Sequence, residues 1–366
     1  MRMRATREDV RRAAGRHIIC GFDGTELTPE LNEILREVNP AGLILFARNV
    51  EAPEQVNELC RELKTIRAGD PLLICVDQEG GRVARIRAPA TEWPTMREVG
   101  RCNDPKLTER LGSAMATELR AMGIDLNLAP VLDVDTNPDN PVIGDRSFSR
   151  EPETVAELGC ALARGLEGAG VGSCGKHFPG HGDTDLDSHF ALPHVGHSPD
   201  RLRNTEWIPF RRAIDSGMGA VMTAHVVVEA LDPTRPATLS RPALSPLRDQ
   251  LGFRGVIVSD DIEMQALADH FTSEEIAVFG VNAGIDVFLA YQQPEAILNL
   301  YRSLVVACEQ EIIDHADLLD GETRLIKWRQ QFCRVPGPWA KVGHLVGHHE
   351  HRRLITEIHQ RAMGNV

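Results

Sequence analysis

Eight short apolar runs, rich in valine, isoleucine and leucine, recur along the chain, and each gives way to a polar or glycine-rich step and then a longer segment. They cover residues 18–20, 42–46, 72–77, 125–129, 172–177, 220–224, 255–259 and 287–289. Between them, residues 53–67, 105–122, 153–169, 209–215, 243–250 and 274–283 space their apolar positions as one face of a helix does. A run that is apolar at nearly every position suits a strand covered on both faces, and strand–helix alternation is how parallel sheets are built. Eight such units predict an α/β fold, the TIM (β/α)8 barrel. A doubly wound sheet is the competing architecture, but it usually has fewer strands, and no G-x-G-x-x-G follows the first run. The barrel is expected to occupy residues 1–330 as a single domain. Residues 331–366 fall outside the repeat and read as a C-terminal helical extension, amphipathic over 350–361, that packs against the barrel or a neighbouring subunit.

With 366 residues, 42% of them hydrophobic, the chain can bury a core of this size. Its net charge of -13 argues against a nucleic-acid surface or an anionic membrane as partner, since both require clustered lysine and arginine. The basic N-terminus, Met1 to Asp9, leads into more charge rather than an apolar run, so no secretory signal is expected, and no apolar window is long enough to span a bilayer. The eight cysteines are scattered without a C-x-x-C pair, several of them inside apolar runs. They read as buried, reduced thiols of a cytoplasmic protein.

In such barrels chemistry sits where strands end and the following loops begin. Here the ends are Asp77-Gln78-Glu79 after the third run, Lys176-His177 at the fifth, His225 after the sixth and Ser259-Asp260-Asp261 after the seventh, all expected to face one mouth. The fifth continues as Phe178-Pro179-Gly180-His181-Gly182-Asp183-Thr184-Asp185-Leu186-Asp187-Ser188-His189. From Lys176 onward this stretch packs three histidines, three aspartates and a lysine among two glycines and a proline. Proline and glycine interrupt both helix and strand, and charge is rarely buried unpaired, so this composition marks a functional loop. Asp187, two residues before His189, can hydrogen-bond the imidazole, favour its protonated form and fix its tautomer, as a general acid/base near neutral pH requires. Asp260 directly follows a buried strand and is the better candidate for a nucleophilic carboxylate; Asp261 is expected to cap the next helix. A metal site is not expected. The Asp183-x-Asp185-x-Asp187 start of a calcium loop fails at its sixth position, Ser188, and its twelfth, His194. The His-rich tail from Gly343 to His351 reads as exposed helical surface.

Lys176 to His189 resembles the K-H-F-P-G-H-G-D-T-x-x-D-S-H motif of bacterial β-N-acetylglucosaminidases in glycoside hydrolase family three. Stretches beginning at Gly42, Val76, Ala129 and Pro141, together with Val258-Ser259-Asp260-Asp261, resemble the same family in the same order, over roughly residues 15–330. The resemblance implies a TIM-barrel hydrolase that removes terminal, non-reducing, β-linked N-acetylglucosamine with retention, through a covalent glycosyl-enzyme and without a cofactor. It implies Asp260 as nucleophile, His189 as acid/base and Asp187 as its partner, with Asp77, Arg85, Arg146, Lys176 and His177 holding the sugar hydroxyls. Arg85 also reads as a solvated charge beside Arg82 and Arg87. A retaining glycosidase needs one attacking carboxylate and one proton donor to the leaving oxygen, and most use two carboxyls. An imidazole donor departs from that pattern and depends on Asp187.

The expected partner is an N-acetylglucosamine-containing saccharide or muropeptide released in peptidoglycan recycling, with no nucleic acid or membrane, and the chain is expected to be a monomer or weak dimer. Two alternatives stay open: a phosphorylase, because a histidine acid/base leaves room for phosphate where a carboxylate would repel it, and a non-catalytic amino-sugar-binding protein.

Overall fold

The computed structural model describes residues 6–67 and 69–364; the start of the basic N-terminal segment lies outside the described residues. The eight apolar runs form one parallel sheet: β1 (Ile18–Cys20), β2 (Gly42–Leu45), β3 (Leu73–Val76), β4 (Leu126–Asn127), β5 (in two pieces, Gly172–Ser173 and Gly175–Phe178), β6 (Ala220–Thr223), β7 (Val256–Asp261) and β8 (Val287–Ala290). Neighbours follow chain order, and β8 returns to β1 with Phe288 opposite Ile18. The first piece of β5 pairs with β4 and the second with β6, while Val131 bridges to Lys176, so the circle closes as a TIM (β/α)8 barrel.

Successive strand side chains point to opposite faces, so each run serves two cores. Ile19, Ile44, Leu73, Cys75, Met222, Val258 and Leu289 fill the interior, while Ile18, Leu43, Leu45, Ile74 and Val76 pack beneath the helices. The helix His315–Phe332 sends Leu325, Trp328 and Phe332 into the interior cluster at the N-terminal end of the strands. Gly219 makes room for it, since a Cβ there would come 2.4 Å from Nε1 of Trp328. That end is plugged, and the opposite mouth is left for the site.

Two expectations need correction. β4 is shorter than predicted, although Asp125 just before it still bonds both neighbouring strands through its backbone, and its carboxylate meets the Lys64 ammonium at 2.5 Å and the Ile74 N–H at 3.0 Å, both buried. β7 is longer, running through Asp261, and the next helix, Gln265–Ala268, has Met264 rather than Asp261 before it. Helices at Arg7–Arg16, Pro29–Val38, Met96–Cys102, Pro199–Asn204, Pro294–Glu309 and His315–Phe332 went unanticipated. The C-terminal segment forms a helix, His349–Gly364, whose Leu354, Ile358 and Ala362 join the core beside Met96–Cys102. His351 reaches Glu118 at 2.6 Å and His359 reaches Glu98 at 3.0 Å, so part of the His-rich tail is tied to the barrel rather than exposed. All eight cysteines are free and buried, and among the described residues no helix is long and apolar enough to cross a membrane.

Candidate active site

Side chains from the C-terminal ends of β3, β5 and β7 converge on one cleft. Asp77, Arg85, Arg146, Lys176, His177, His189 and Asp260 line it, together with Glu79, His181, Ser188 and Tyr291. Asp187 alone of the expected site residues does not line it; it stands behind His189.

After β3 the chain makes a tight antiparallel turn, Gln78–Gly80 against Val83–Ala84. The Gln78 side chain fixes it by accepting from the N–H groups of Arg85 and Ile86, while Asn127 at the end of β4 pairs with the Gln78 backbone. The turn aims Asp77 and Glu79 at two cations. Lys176 Nζ lies 2.7 Å from Asp77 Oδ1 and 2.7 Å from Glu79 Oε1. Arg146 grips Glu79 through two parallel bonds, Nε to Oε2 and Nη2 to Oε1, each 2.8 Å. Burial alone would raise the Glu79 carboxyl, but the Arg146 guanidinium and Lys176 ammonium outweigh it and hold it well below the usual carboxylate range. Burial likewise works against the Lys176 ammonium, and Asp77 and Glu79 more than restore its basicity. Arg85 is no solvated charge: its guanidinium lies 5.2 Å over the Phe46 ring and 3.5 Å from Asp77, at the wall of the cleft.

His177 projects from the end of β5 with Nδ1 2.7 Å from Asp133 Oδ2, and its Nε2 lies 3.4 Å from Arg146 Nη2. Asp133 is wholly buried and accepts from the backbone N–H groups of His177 and His181 as well.

At the end of β7 two adjacent acids take opposite sides of the strand, and their carboxyls are shifted in opposite directions. Asp260 lines the cleft; burial opposes its charge, but His177 and the Asp261 N–H, 2.8 Å from Oδ1, bring its carboxyl down to about 2. Asp261 faces away, accepting from Gln292 Nε2 at 2.6 Å, and burial pushes its carboxyl up to about 7. His225, expected at the mouth, is instead buried outside the cleft lining, bonded to Thr238 Oγ1 at 2.7 Å and to the Asp261 carbonyl at 2.8 Å.

The loop after β5 is irregular, as its glycines and proline require. Gly182 lies so close to Val134 that a Cβ would come 1.8 Å from its carbonyl oxygen. Farther along, His189 Nδ1 meets Asp187 Oδ1 at 2.7 Å, and the same oxygen accepts the His189 N–H at 2.9 Å. The His189 side chain is 54% exposed, against 26% for Asp187. Burial would raise the Asp187 carboxyl, but its bonds to His189 prevail and lower it.

Sequence reasoning gave no role to Glu79 or Asp133, although both lie just past strand ends. The signal available was an acid standing two residues after Asp77, and another beyond Ala129-Pro130, where neither could stay unpaired in a buried setting. Tyr291, following β8, was also missed. Among the described residues no three of His, Cys, Asp and Glu are grouped to hold a metal ion.

Residues 17–327 match the Glycosyl hydrolase family 3 N terminal domain. A β-hexosaminidase of Pseudomonas aeruginosa is 46% identical over 249 residues, covering 68% of this chain and 74% of that one. β-Hexosaminidase A of Pseudoalteromonas piscicida is 36% identical over 95% of this chain, which spans only 62% of that enzyme's length. Among solved structures, a glycoside hydrolase family 3 β-N-acetylglucosaminidase from Paenibacillus sp. superposes with a TM-score of 0.91 at 38% identity, covering 96% of this chain and 68% of the other. NagZ from Neisseria gonorrhoeae in complex with N-trifluoroacetyl-D-glucosamine superposes with a TM-score of 0.80 at 36% identity, over 94% of this chain and 98% of that one.

Proposed function

We propose that this chain, which belongs to glycosyl hydrolase family 3 and is a glycoside hydrolase, is a retaining exo-β-N-acetylglucosaminidase. The observation that carries the reading is the pairing, around one cleft, of a half-buried carboxylate held at about 2 with an imidazole backed by its own carboxylate. Asp260 is the nucleophile: already ionised, it attacks the anomeric carbon while His189 gives its proton to the departing glycosidic oxygen. The neutral imidazole then takes a proton from water, which attacks the glycosyl-enzyme and releases the sugar with its β configuration. Asp187 orients the ring through the bond to Nδ1.

Asp77, Arg85, Arg146, Lys176 and His177 hold the sugar. Lys176 offers three N–H donors and gives two to Asp77 and Glu79; Arg146 offers five, giving two to Glu79 and one to the Val142 carbonyl at 3.3 Å. The remaining donors, fixed in place by buried acids, suit hydroxyls whose loss would leave them unpaired.

The natural substrate is an N-acetylglucosaminyl muropeptide fragment handled in the cytoplasm during peptidoglycan recycling. This rests on the family likeness and on eight free thiols, which fit a reducing compartment.

Proton NMR of para-nitrophenyl N-acetyl-β-glucosaminide turnover tests the chemistry. The first-formed sugar should be the free β anomer, with or without inorganic phosphate. An α anomer would overturn retention; a sugar 1-phosphate appearing with phosphate would convert the reading to a phosphorylase. Release of N-acetylglucosamine from an anhydromuramyl disaccharide tests the substrate, and failure there with good aryl-glycoside turnover removes the recycling role alone.

A further inference from the structure

Ser188 sits between the two members of the Asp187–His189 pair, and contacts from the segments that follow β5 and β7 meet on it. Its hydroxyl lies 2.9 Å from Nε2 of His181. Its carbonyl accepts the N–H of Ala266, in the segment that follows Asp260, at 3.4 Å. His181 is itself anchored: its backbone N–H donates to Asp133 Oδ1 at 2.8 Å, and the other carboxylate oxygen of Asp133 holds His177. Through Ser188, the loop is tied both to the end of β5 and to the chain leaving β7.

The His181 ring is held at both nitrogens: Nδ1 lies 2.8 Å from Thr184 Oγ1 and Nε2 lies 2.9 Å from the Ser188 hydroxyl. Both ring nitrogens are occupied by the loop, which leaves none for a sugar. The imidazole is 1% exposed, and burial lowers its pKa to about 4, so it stays neutral where the enzyme would work.

We propose that the His181–Ser188 hydrogen bond is a latch that sets the position of His189 relative to Asp260, making His181 and Ser188 positioning residues rather than catalytic ones. The proposal rests on the reading of His189 as the acid/base. A proton donor displaced by about an ångström loses much of its effect, whereas a nucleophile on a barrel strand is untouched by the displacement.

Ser188→Ala removes the latch hydroxyl and Ser188→Thr restores one. Each is compared with wild type and His189→Ala on two substrates: a dinitrophenyl glycoside, whose leaving group departs without a proton, and chitobiose, whose leaving group needs one. For Ser188→Ala we expect kcat/KM on chitobiose to fall by roughly 10- to 100-fold, a part of the full acid/base contribution, with less than about threefold change on the dinitrophenyl substrate. Ser188→Thr should recover most of the loss, and amide exchange over residues 183–190 should quicken in Ser188→Ala alone. Equal losses on both substrates, or none on either, overturn the latch. If His189→Ala shows the leaving-group dependence and Ser188→Ala does not, the latch fails while the acid/base reading stands. If His189→Ala lacks that dependence, the acid/base reading fails and the latch with it.

Discussion

Asp260 stands on a barrel strand, half-buried at the wall of the cleft, its charge held by a neighbouring imidazole and a backbone N–H. His189 stands on a glycine-broken loop, with more than half its side chain in solvent and its orientation fixed by one carboxylate and, through Ser188, by His181. The two positions answer different demands. A nucleophile must be ionised before substrate arrives and must not move, which a strand supplies. A proton donor must reach an oxygen whose far side belongs to the leaving group, and a surface loop can meet aglycones that a barrel strand cannot. If this division is right, damage on the strand side is total for every substrate, and damage on the loop side depends on the leaving group.

Asp260→Asn is the sharpest way to break that division. The amide is nearly isosteric and keeps an acceptor for the Asp261 N–H, so the fold should survive while kcat falls by on the order of 10⁴-fold or more. The loss should be of similar size on aryl glycosides and on chitobiose. Retention of even a tenth of wild-type kcat would remove Asp260 from the nucleophile role. On the loop side, Asp187→Asn keeps a hydrogen bond to His189 but withdraws the negative charge. Its kcat should fall by on the order of 10²-fold on chitobiose and far less on a dinitrophenyl glycoside. Uniform losses there would mean that Asp187 shapes the loop and does not tune the imidazole.

How much of this was legible in the sequence follows from the same contrast. The eight strands could be read because a barrel strand covered on both faces is apolar over most of its run and turns polar chiefly toward its C-terminal end, as at Asn127, Lys176-His177 and Ser259-Asp260-Asp261. The helix at Arg7–Arg16 could not, because it is dominated by charged residues, and that at His315–Phe332 buries only Leu318, Leu325, Trp328 and Phe332 of its apolar side chains. At the site, Asp260, Lys176 and His177 stood out as polar groups ending apolar strands. Period-two alternation could not say which of Asp260 and Asp261 faces the cleft, nor that His225 turns inward to Thr238. Glu79 and Asp133 escaped because their partners, Arg146 and Lys176 in one case and His177 in the other, lie far along the chain and are brought together only by the closed barrel.

Glu79 gives the next smaller effect, now on stability. Glu79→Gln leaves Arg146 and Lys176 buried with one acid fewer, and loss of one partner from such a cluster costs about 3–5 kcal/mol. Thermal unfolding should show a Tm lowered by several degrees, together with a raised KM as the two cations drift from their positions. An unchanged Tm would mean that Asp77 and solvent suffice to hold them.

The smallest expected effect comes from Asp261, and it separates the two acids of β7 by pH. Its carboxyl, buried against Gln292 and Glu263, titrates at about 7 rather than 3.8. Between those values the folded chain keeps a proton that the unfolded chain has released, so this group's contribution is complete below 3.8 and is lost as pH rises through about 7. Asp260 acts in the opposite sense and in another window: lowered from 3.8 to about 2, it stabilises above 3.8, and that contribution is lost as pH falls through about 2. Asp261→Asn therefore removes a loss of about 2 kcal/mol between roughly pH 5 and pH 8 without touching the acid side. In paired Tm measurements the variant should gain on wild type steadily as pH rises across that interval. Parallel curves would mean that the Asp261 carboxylate is already ionised in the folded chain, and the opposed shifts of the two neighbours would be lost with it.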